Sequence, residues 1–98
     1  MNALSPEKDH IVREFPIVNQ RGLHARASAK FVQLVGSFQA EIRVEKDGVS
    51  VGGTSIMGLM MLAASPGARI RVTAEGTEAE QAMSALEALI CSRFGEEA

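Results

Sequence analysis

Two segments in which apolar and polar residues alternate constrain the fold of this chain most strongly. The apolar members are Phe38, Ala40, Ile42 and Val44 in the first segment and Ala68, Ile70, Val72 and Ala74 in the second. Successive side chains of a strand point to opposite faces, so each segment predicts a β-strand with one buried and one solvated face. Helices are therefore expected on one side of the sheet only.

The stretches between and around these strands predict the remaining elements. Asp47 and Gly48 predict a tight hairpin turn into a short strand over residues 49–51. Residues 11–18 predict a first strand, in which Pro16 indicates an edge or a bulge. Apolar residues at helical spacing predict helices over residues 25–36, 56–64 and 79–94. The predicted order is β-α-β-β-α-β-α.

Two details of the predicted helices can be checked directly. The apolar stripe of the first helix is expected to comprise Ala29, Phe31, Val32 and Val35. A capping box over residues 77–80 is expected to open the third helix, with Thr77 as the N-cap and Glu80 as its partner.

Length and composition bound the domain organisation and exclude several function classes. A chain of 98 residues predicts one domain, here residues 11–94, between a flexible tail at 1–10 and a short tail at 95–98. A net charge of −2 and four aromatic residues, all Phe, argue against nucleic-acid binding.

Cysteine content and hydropathy bear on the expected compartment. A single cysteine, Cys91, permits neither an intrachain disulfide nor an all-cysteine metal site, which is compatible with a reducing cytosol. The sequence shows no secretory leader and no apolar run long enough to span a membrane. We therefore expect a cytoplasmic protein without membrane insertion.

The predicted first helix begins without a residue that usually caps a helix. The backbone N–H groups of a first turn need acceptors, and Ser, Thr, Asp or Asn normally supplies one. The cap position here falls on His24, which follows Gly22 and Leu23. The N–H groups of Ala25, Arg26 and Ala27 are therefore expected to bind an anion at the positive end of the helix dipole.

The side chains of His24 and Arg26 indicate which anion this predicted site would bind and which reaction it would support. A guanidinium fork matches the oxygens of a phosphate, and a neutral imidazole is a nucleophile. The helix terminus and Arg26 are both expected to disfavour the imidazolium form of His24. The pattern favours a histidine that accepts a phosphoryl group and passes it on, although such a spacing alone is more often an ordinary surface feature.

The predicted second helix combines a cap with a divided apolar surface. Thr54 or Ser55 is expected to cap it. Leu59, Leu62 and Ala63 share one face, whereas Ile56, Met57 and Met60 share another. A short helix on a sheet cannot bury both faces. We predict that Ile56, Met57 and Met60 form an exposed patch beside His24 that partner proteins cover.

Two blocks of the sequence resemble the HPr family, the histidine phosphocarriers of the bacterial phosphoenolpyruvate-dependent phosphotransferase system. Residues 22–26, GLHAR, are similar to the family's active-site motif. Residues 55–64, SIMGLMMLAA, are similar to its regulatory serine and the helix that follows. The resemblance spans about residues 11–94 and implies an α+β open-faced β-sandwich, in which three helices cover one face of a four-stranded antiparallel sheet.

The resemblance also implies roles for individual residues. His24 would accept a phosphoryl group on Nδ1 from phosphorylated enzyme I and donate it to an enzyme IIA-type protein, with Arg26 stabilising the phosphate. The protein would be a monomeric carrier rather than an enzyme, without a metal or cofactor. Ser55 would be phosphorylated by an HPr kinase/phosphorylase that uses a nucleotide and Mg²⁺.

The sequence departs from the family pattern at two positions. Ala27 stands where proline is frequent, which leaves one more N–H donor in the first turn. Thr54 stands where a basic residue often precedes the regulatory serine, which weakens the positive surface expected beside Ser55.

Two alternative functions are weighed against the sugar-transport carrier. One is a purely regulatory phospho-signalling protein of the nitrogen-related branch, which the sequence does not separate from the carrier. The other is an acylphosphatase-like hydrolase, which needs a water-positioning asparagine on a core strand. The asparagines of the chain are Asn2 and Asn19, and both fall outside the predicted strands.

Overall fold

The structure is a computed structural model that describes residues 9–98. Its strands are β1 (Asp9–Pro16), β2 (Glu41–Lys46), β3 (Val49–Gly52) and β4 (Arg69–Gly76). Its helices are α1 (Ala25–Val35), α2 (Ile56–Met61) and α3 (Ala79–Cys91), followed by the 3₁₀ helix η1 (Arg93–Gly95). The predicted element order is thereby confirmed.

Some element boundaries differ from the prediction. The first strand begins at Asp9, inside the segment that was predicted to be a tail, and the rest of that segment, residues 1–8, lies outside the described residues. Helix α2 ends at Met61, three residues earlier than the sequence predicts. The predicted C-terminal tail starts at Gly95, which is still part of η1.

The four strands form one antiparallel sheet in the order β1-β4-β2-β3. Strand β1 is an edge strand, which explains why Pro16 is tolerated at its end. Across the middle of the sheet, Arg71 of β4 lies opposite Glu14 of β1 and Glu45 of β2. This alternation of charges marks the solvated face of the sheet. The helices pack on the other face, so the predicted α+β open-faced sandwich is confirmed.

The other face of the sheet carries the hydrophobic core. The strands contribute Phe15, Ile42, Val44, Ile70, Val72 and Ala74. Helices α1 and α3 cover these side chains. They contribute Phe31 and Val35 from α1 and Ala79, Ala82, Met83, Leu86 and Ile90 from α3. The stripe predicted for α1 is wrong at one position: Ala29 is exposed, and Ala27 and Ser28 are buried instead.

The turns show one prediction confirmed and one that fails. Asp47 and Gly48 adopt φ angles of 53° and 83°, as a two-residue hairpin turn with the twist of a sheet requires. The predicted capping box is wrong, because α3 begins at Ala79 with Glu78 as its N-cap residue. The Glu78 carboxylate accepts a hydrogen bond from the backbone N–H of Gln39 at 2.7 Å and so ties α3 to the chain entering β2.

Candidate functional site

The loop that leads into α1 is fixed by the segment that follows α2. Gly22 has a φ of 65°, and a Cβ atom there would collide with the carbonyl oxygen of Ala64. The backbone N–H of Leu23 donates a hydrogen bond to the same oxygen at 3.0 Å, and the Leu23 side chain is buried. Only glycine fits at position 22, and the position of His24 therefore depends on the chain just after α2.

Ser28 holds this loop from the other side. Its buried hydroxyl donates a hydrogen bond to the carbonyl oxygen of Leu23 at 3.1 Å. Its backbone N–H donates to the carbonyl oxygen of His24 at 2.9 Å, which forms the first helical hydrogen bond of α1. The sequence gives no sign of the side-chain contact, because a serine in a first turn is usually exposed.

His24 occupies the N-cap position of α1 in extended backbone conformation, and no side chain caps the helix. Within residues 9–98, the N–H groups of Ala25, Arg26 and Ala27 donate to no protein acceptor. Ala25 and Arg26 are exposed, whereas Ala27 has no exposed surface. The donors most open to a ligand are therefore the N–H groups of Ala25 and Arg26.

The imidazole of His24 contacts a carboxylate that the sequence did not indicate. Its Nε2 atom lies 2.5 Å from one oxygen of Glu96, and the two side chains are only 23% and 14% exposed. The other oxygen of Glu96 accepts a hydrogen bond from Nδ2 of Asn19 at 3.1 Å. Asn19 is fully buried and also donates to the carbonyl oxygen of Gly22 at 2.9 Å, so it joins Glu96 to the loop.

A tight reversal after α3 brings Glu96 to the histidine. Arg93, Phe94 and Gly95 have φ angles of 59°, 56° and 78° in succession. The Phe94 side chain is fully buried, and its carbonyl oxygen accepts a hydrogen bond from Nζ of Lys30 at 2.6 Å. The segment after α3 is thus anchored in the core and to α1 before it reaches His24.

The charges around this contact keep Glu96 ionised. Burial raises the pKa of the Glu96 carboxyl, but the hydrogen bonds from His24 and Asn19, with the charges of His24 and Arg21, outweigh it. The pKa of Glu96 therefore lies below its ordinary value. The side chain stays an acceptor at neutral pH.

A shallow depression lies beside the start of α1. Its volume is about 350 Å³, and Arg21, Arg26 and Glu96 contribute to its lining. Arg26 is exposed and forms no ion pair inside the described part of the chain. Its guanidinium is therefore available to an anion that approaches the first turn.

Ser55, rather than Thr54, caps α2. Its Oγ atom accepts a hydrogen bond from the backbone N–H of Gly58 at 2.9 Å, whereas Thr54 is exposed. A Cβ atom at position 58 would lie 2.9 Å from this Oγ and 3.0 Å from Cβ of Val51. The absence of a side chain at Gly58 therefore leaves room for the capping hydroxyl of Ser55 and for the close packing of α2 against Val51 of β3.

One face of α2 is apolar and exposed. Ile56, Met57 and Met60 are 39%, 71% and 40% exposed, and Met61, which the sequence did not indicate, is 77% exposed. Leu59 and Leu62 are buried, but Ala63 is not, because it follows the helix end at a φ of 53°. We call Ile56, Met57, Met60 and Met61 the α2 patch.

Among residues 9–98, no group of three or more His, Cys, Asp or Glu side chains is placed to hold a metal ion. No helix in the described part of the chain has the length and hydropathy to cross a lipid bilayer.

Comparisons with known proteins agree with this geometry. The family model of the PTS HPr component phosphorylation site matches residues 11–92. The phosphocarrier protein HPr of Cupriavidus necator is 48% identical over 84 residues, which cover 86% of this chain and 94% of that relative. The crystal structure of HPr-C-His from Thermoanaerobacter tengcongensis matches with a TM-score of 0.85 and 45% identity, covering 90% of this chain and 99% of that one.

A second solved structure bears on the assembly state. The crystal structure of an HPr dimer from Thermoanaerobacter tengcongensis matches with a TM-score of 0.71 and 48% identity, covering 84% of this chain and 94% of that one. The monomeric state expected for this protein therefore stays a prediction. Proteins of this family are phosphocarriers rather than catalytic enzymes, which removes the acylphosphatase-like alternative. The family indicated by the two sequence blocks is confirmed, and the chain belongs to the HPr phosphocarriers of the phosphotransferase system.

Proposed function

We propose that His24 accepts a phosphoryl group on Nδ1 from phosphorylated enzyme I and passes it to an enzyme IIA-type protein. The observation that carries this proposal is the start of α1, where a histidine occupies the cap position and the following N–H groups lack acceptors. An uncapped first turn binds anions through its N–H groups and its dipole. A nucleophile at that position can form a bond to a phosphoryl group held there.

The same groups hold the phosphoryl oxygens after transfer. The N–H groups of Ala25, Arg26 and Ala27 and the guanidinium of Arg26 are the proposed donors, of which Ala27 is the least accessible. A phosphorylated imidazole is a high-energy species, so moderate stabilisation permits onward transfer. The proposal requires no metal or cofactor of the carrier itself and places the protein in the cytoplasm, in line with its single, exposed cysteine.

Two further roles belong to α2. The α2 patch is the proposed docking surface for enzyme I and enzyme IIA, because exposed methionines adapt to different partners. Ser55 is the proposed target of an HPr kinase/phosphorylase, which would supply the nucleotide and Mg²⁺. Its half-buried hydroxyl already serves as the cap of α2, and a phosphate there would lie at the helix end that tolerates negative charge.

The phosphorylation of His24 can be tested by incubation with phosphoenolpyruvate and enzyme I. The wild-type protein is expected to form an acid-labile, base-stable adduct, and His24→Ala is expected to form none. His10→Ala is the matched control, because His10 is the other histidine of the chain and lies exposed on β1. An adduct that persists in His24→Ala, or is lost in His10→Ala, would contradict the assignment.

A further inference from the structure

We propose that Glu96 is a positioning residue for phosphoryl transfer at His24, acting through Nε2 of the imidazole. The proposal rests on the proposed function and deepens it. Its basis is the 2.5 Å contact between the Glu96 carboxylate and Nε2, in which both side chains are largely withdrawn from solvent. Neither the family motif nor the local sequence pattern points to Glu96, which lies 72 residues from His24.

The contact selects one tautomer of the neutral imidazole. An ionised carboxylate can only accept hydrogen bonds, and the pKa of Glu96 is lowered, so Nε2 must carry the proton that is shared with it. In a neutral ring with a proton on Nε2, Nδ1 bears the free lone pair. The carboxylate thereby leaves Nδ1 as the nucleophilic nitrogen and fixes the rotation of the ring.

The same contact stabilises the positive charge that develops on the His24 imidazole during transfer. The Nδ1 lone pair forms a bond to phosphorus as the bond between phosphorus and the donor atom of enzyme I breaks, and that bonding pair leaves with the donor. The imidazole becomes positively charged while its proton stays on Nε2, where the Glu96 carboxylate offsets the charge. Onward transfer reverses the step and returns the electron pair to Nδ1.

Several separate contacts fix the position of the Glu96 side chain. Left-handed backbone is unfavourable for Arg93 and Phe94, yet both adopt it, and together with Gly95 they turn the chain back toward His24. The buried Phe94 ring and the Lys30 hydrogen bond to its carbonyl oxygen hold this reversal. Asn19, fully buried, then binds the second oxygen of Glu96. Several independent contacts thus converge on a single carboxylate orientation.

The neighbouring Glu97 supplies a matched control. It carries the same charge in the same segment, is exposed, and its carboxylate forms no hydrogen bond or ion pair to any residue of the described range. Glu97→Ala therefore removes the charge without removing a contact to His24. Glu96→Gln keeps an acceptor oxygen but removes the charge, whereas Glu96→Ala removes both.

The first measurement is the rate of phosphoryl transfer from phosphorylated enzyme I to each variant, by rapid quench. Glu96→Ala is expected to be about tenfold slower than wild type, comparable with the lower end of the loss when the carboxylate behind a metal-ligating histidine is removed. Glu96→Gln is expected to lie between them, and Glu97→Ala to transfer no more slowly than wild type, because Glu97 lines the depression but does not contact His24. Equal rates for wild type, Glu96→Gln and Glu96→Ala would overturn the proposal.

The second measurement needs no partner protein and separates positioning from a structural effect. The ¹⁵N shifts of the His24 ring at a pH where the ring is neutral are expected to show a proton on Nε2 in wild type and a mixture of tautomers in Glu96→Ala. A Glu96→Ala ring that keeps the wild-type tautomer would overturn the proposal even if transfer slowed. Failure of wild type to accept phosphate would instead refute the proposed function, whereas the tautomer comparison tests Glu96 separately.

Discussion

At the scale of single residues, the site depends on contacts between parts of the chain that are far apart in sequence. Asn19 reaches Glu96 across 77 residues, and His24 reaches it across 72. Sequence periodicity reports only neighbours within a few turns, so it predicts the uncapped start of α1 but not the carboxylate beside it. Ser28 is a similar case, because its hydroxyl is used only once the loop before α1 is folded.

The lowered pKa of Glu96 predicts a pH dependence of stability. A group whose pKa is lower in the folded state stabilises the fold above its unfolded pKa, and that contribution is lost as the pH falls through the folded pKa. For Glu96 the window lies between the ordinary value of 4.5 and the lower folded value. The charges of His24 and Arg21 face Glu96 and lower its pKa. Arg26 and Glu97 are the other charged groups that line the same depression.

The measurement is the free energy of unfolding of wild type and Glu96→Gln, determined by urea denaturation between pH 7 and pH 3. Wild type is expected to be the more stable protein at pH 7 and to lose this advantage below pH 4.5. Taking the difference between the two proteins removes the titration of the other carboxylates. An advantage that grows as the pH falls from 4.5 toward 3 would show that Glu96 does not carry this stabilisation.

At the scale of elements, the alternating strands and the Asp47-Gly48 turn were predictable because each is encoded locally, although the first of these strands begins at Glu41 and not at Phe38 as predicted. The capping box of α3 was not, since the backbone N–H and the carboxylate of Glu78 are both hydrogen-bonded to Gln39, a residue distant in sequence, and α3 begins only after this contact. The end of α2 was also missed by three residues, because Ala63 adopts left-handed backbone where the chain turns toward β4. Local propensity thus predicts elements better than their ends.

Ser55 offers a prediction about α2 itself. Replacement by alanine removes the oxygen that accepts from Gly58 and is expected to lower the free energy of unfolding by about 1 kcal/mol. Thr54→Ala is the control and is expected to change stability by less than about 0.5 kcal/mol, because Thr54 is exposed and does not cap the helix. Thermal or urea denaturation of the three proteins measures both effects, and equal losses in the two variants would contradict the assignment of the cap.

The same pair of variants tests the proposed regulatory site. An HPr kinase/phosphorylase with ATP and Mg²⁺ is expected to label wild type and Thr54→Ala, and to leave Ser55→Ala unlabelled. Labelling of Ser55→Ala at the wild-type level would remove Ser55 as the target. Because helix capping and modification use the same oxygen, circular dichroism of each variant should accompany the assay to show that α2 is intact.

At the scale of the whole molecule, the sheet separates two surfaces with different character. One face of the sheet is solvated and carries alternating charges, whereas the layer of helices on the other face presents both His24 and the α2 patch. The hydrogen bond from Leu23 to the Ala64 carbonyl joins the histidine loop to the segment that follows α2. A partner that covers the α2 patch would thus sit directly beside the segment that fixes the nucleophile.

This arrangement predicts that a charge on the α2 patch impairs docking without unfolding the protein. Met57 is 71% exposed, so Met57→Lys is expected to change stability by no more than about 0.5 kcal/mol. Loss of a residue that anchors an interface costs more than about 1 kcal/mol, and about 1.4 kcal/mol corresponds to a tenfold increase in the KM for this carrier in phosphoryl transfer from enzyme I.

Val12→Lys is the matched control for this prediction. Val12 is also an exposed aliphatic residue, at 48%, but it lies on β1 in register with Thr73 of β4, on the solvated face of the sheet. Its KM is expected to equal that of wild type, because a partner that docks on α2 does not reach that face. Unchanged KM values for Met57→Lys with both enzyme I and an enzyme IIA would show that docking does not use the α2 patch, whereas a loss shared with Val12→Lys would indicate a general charge effect.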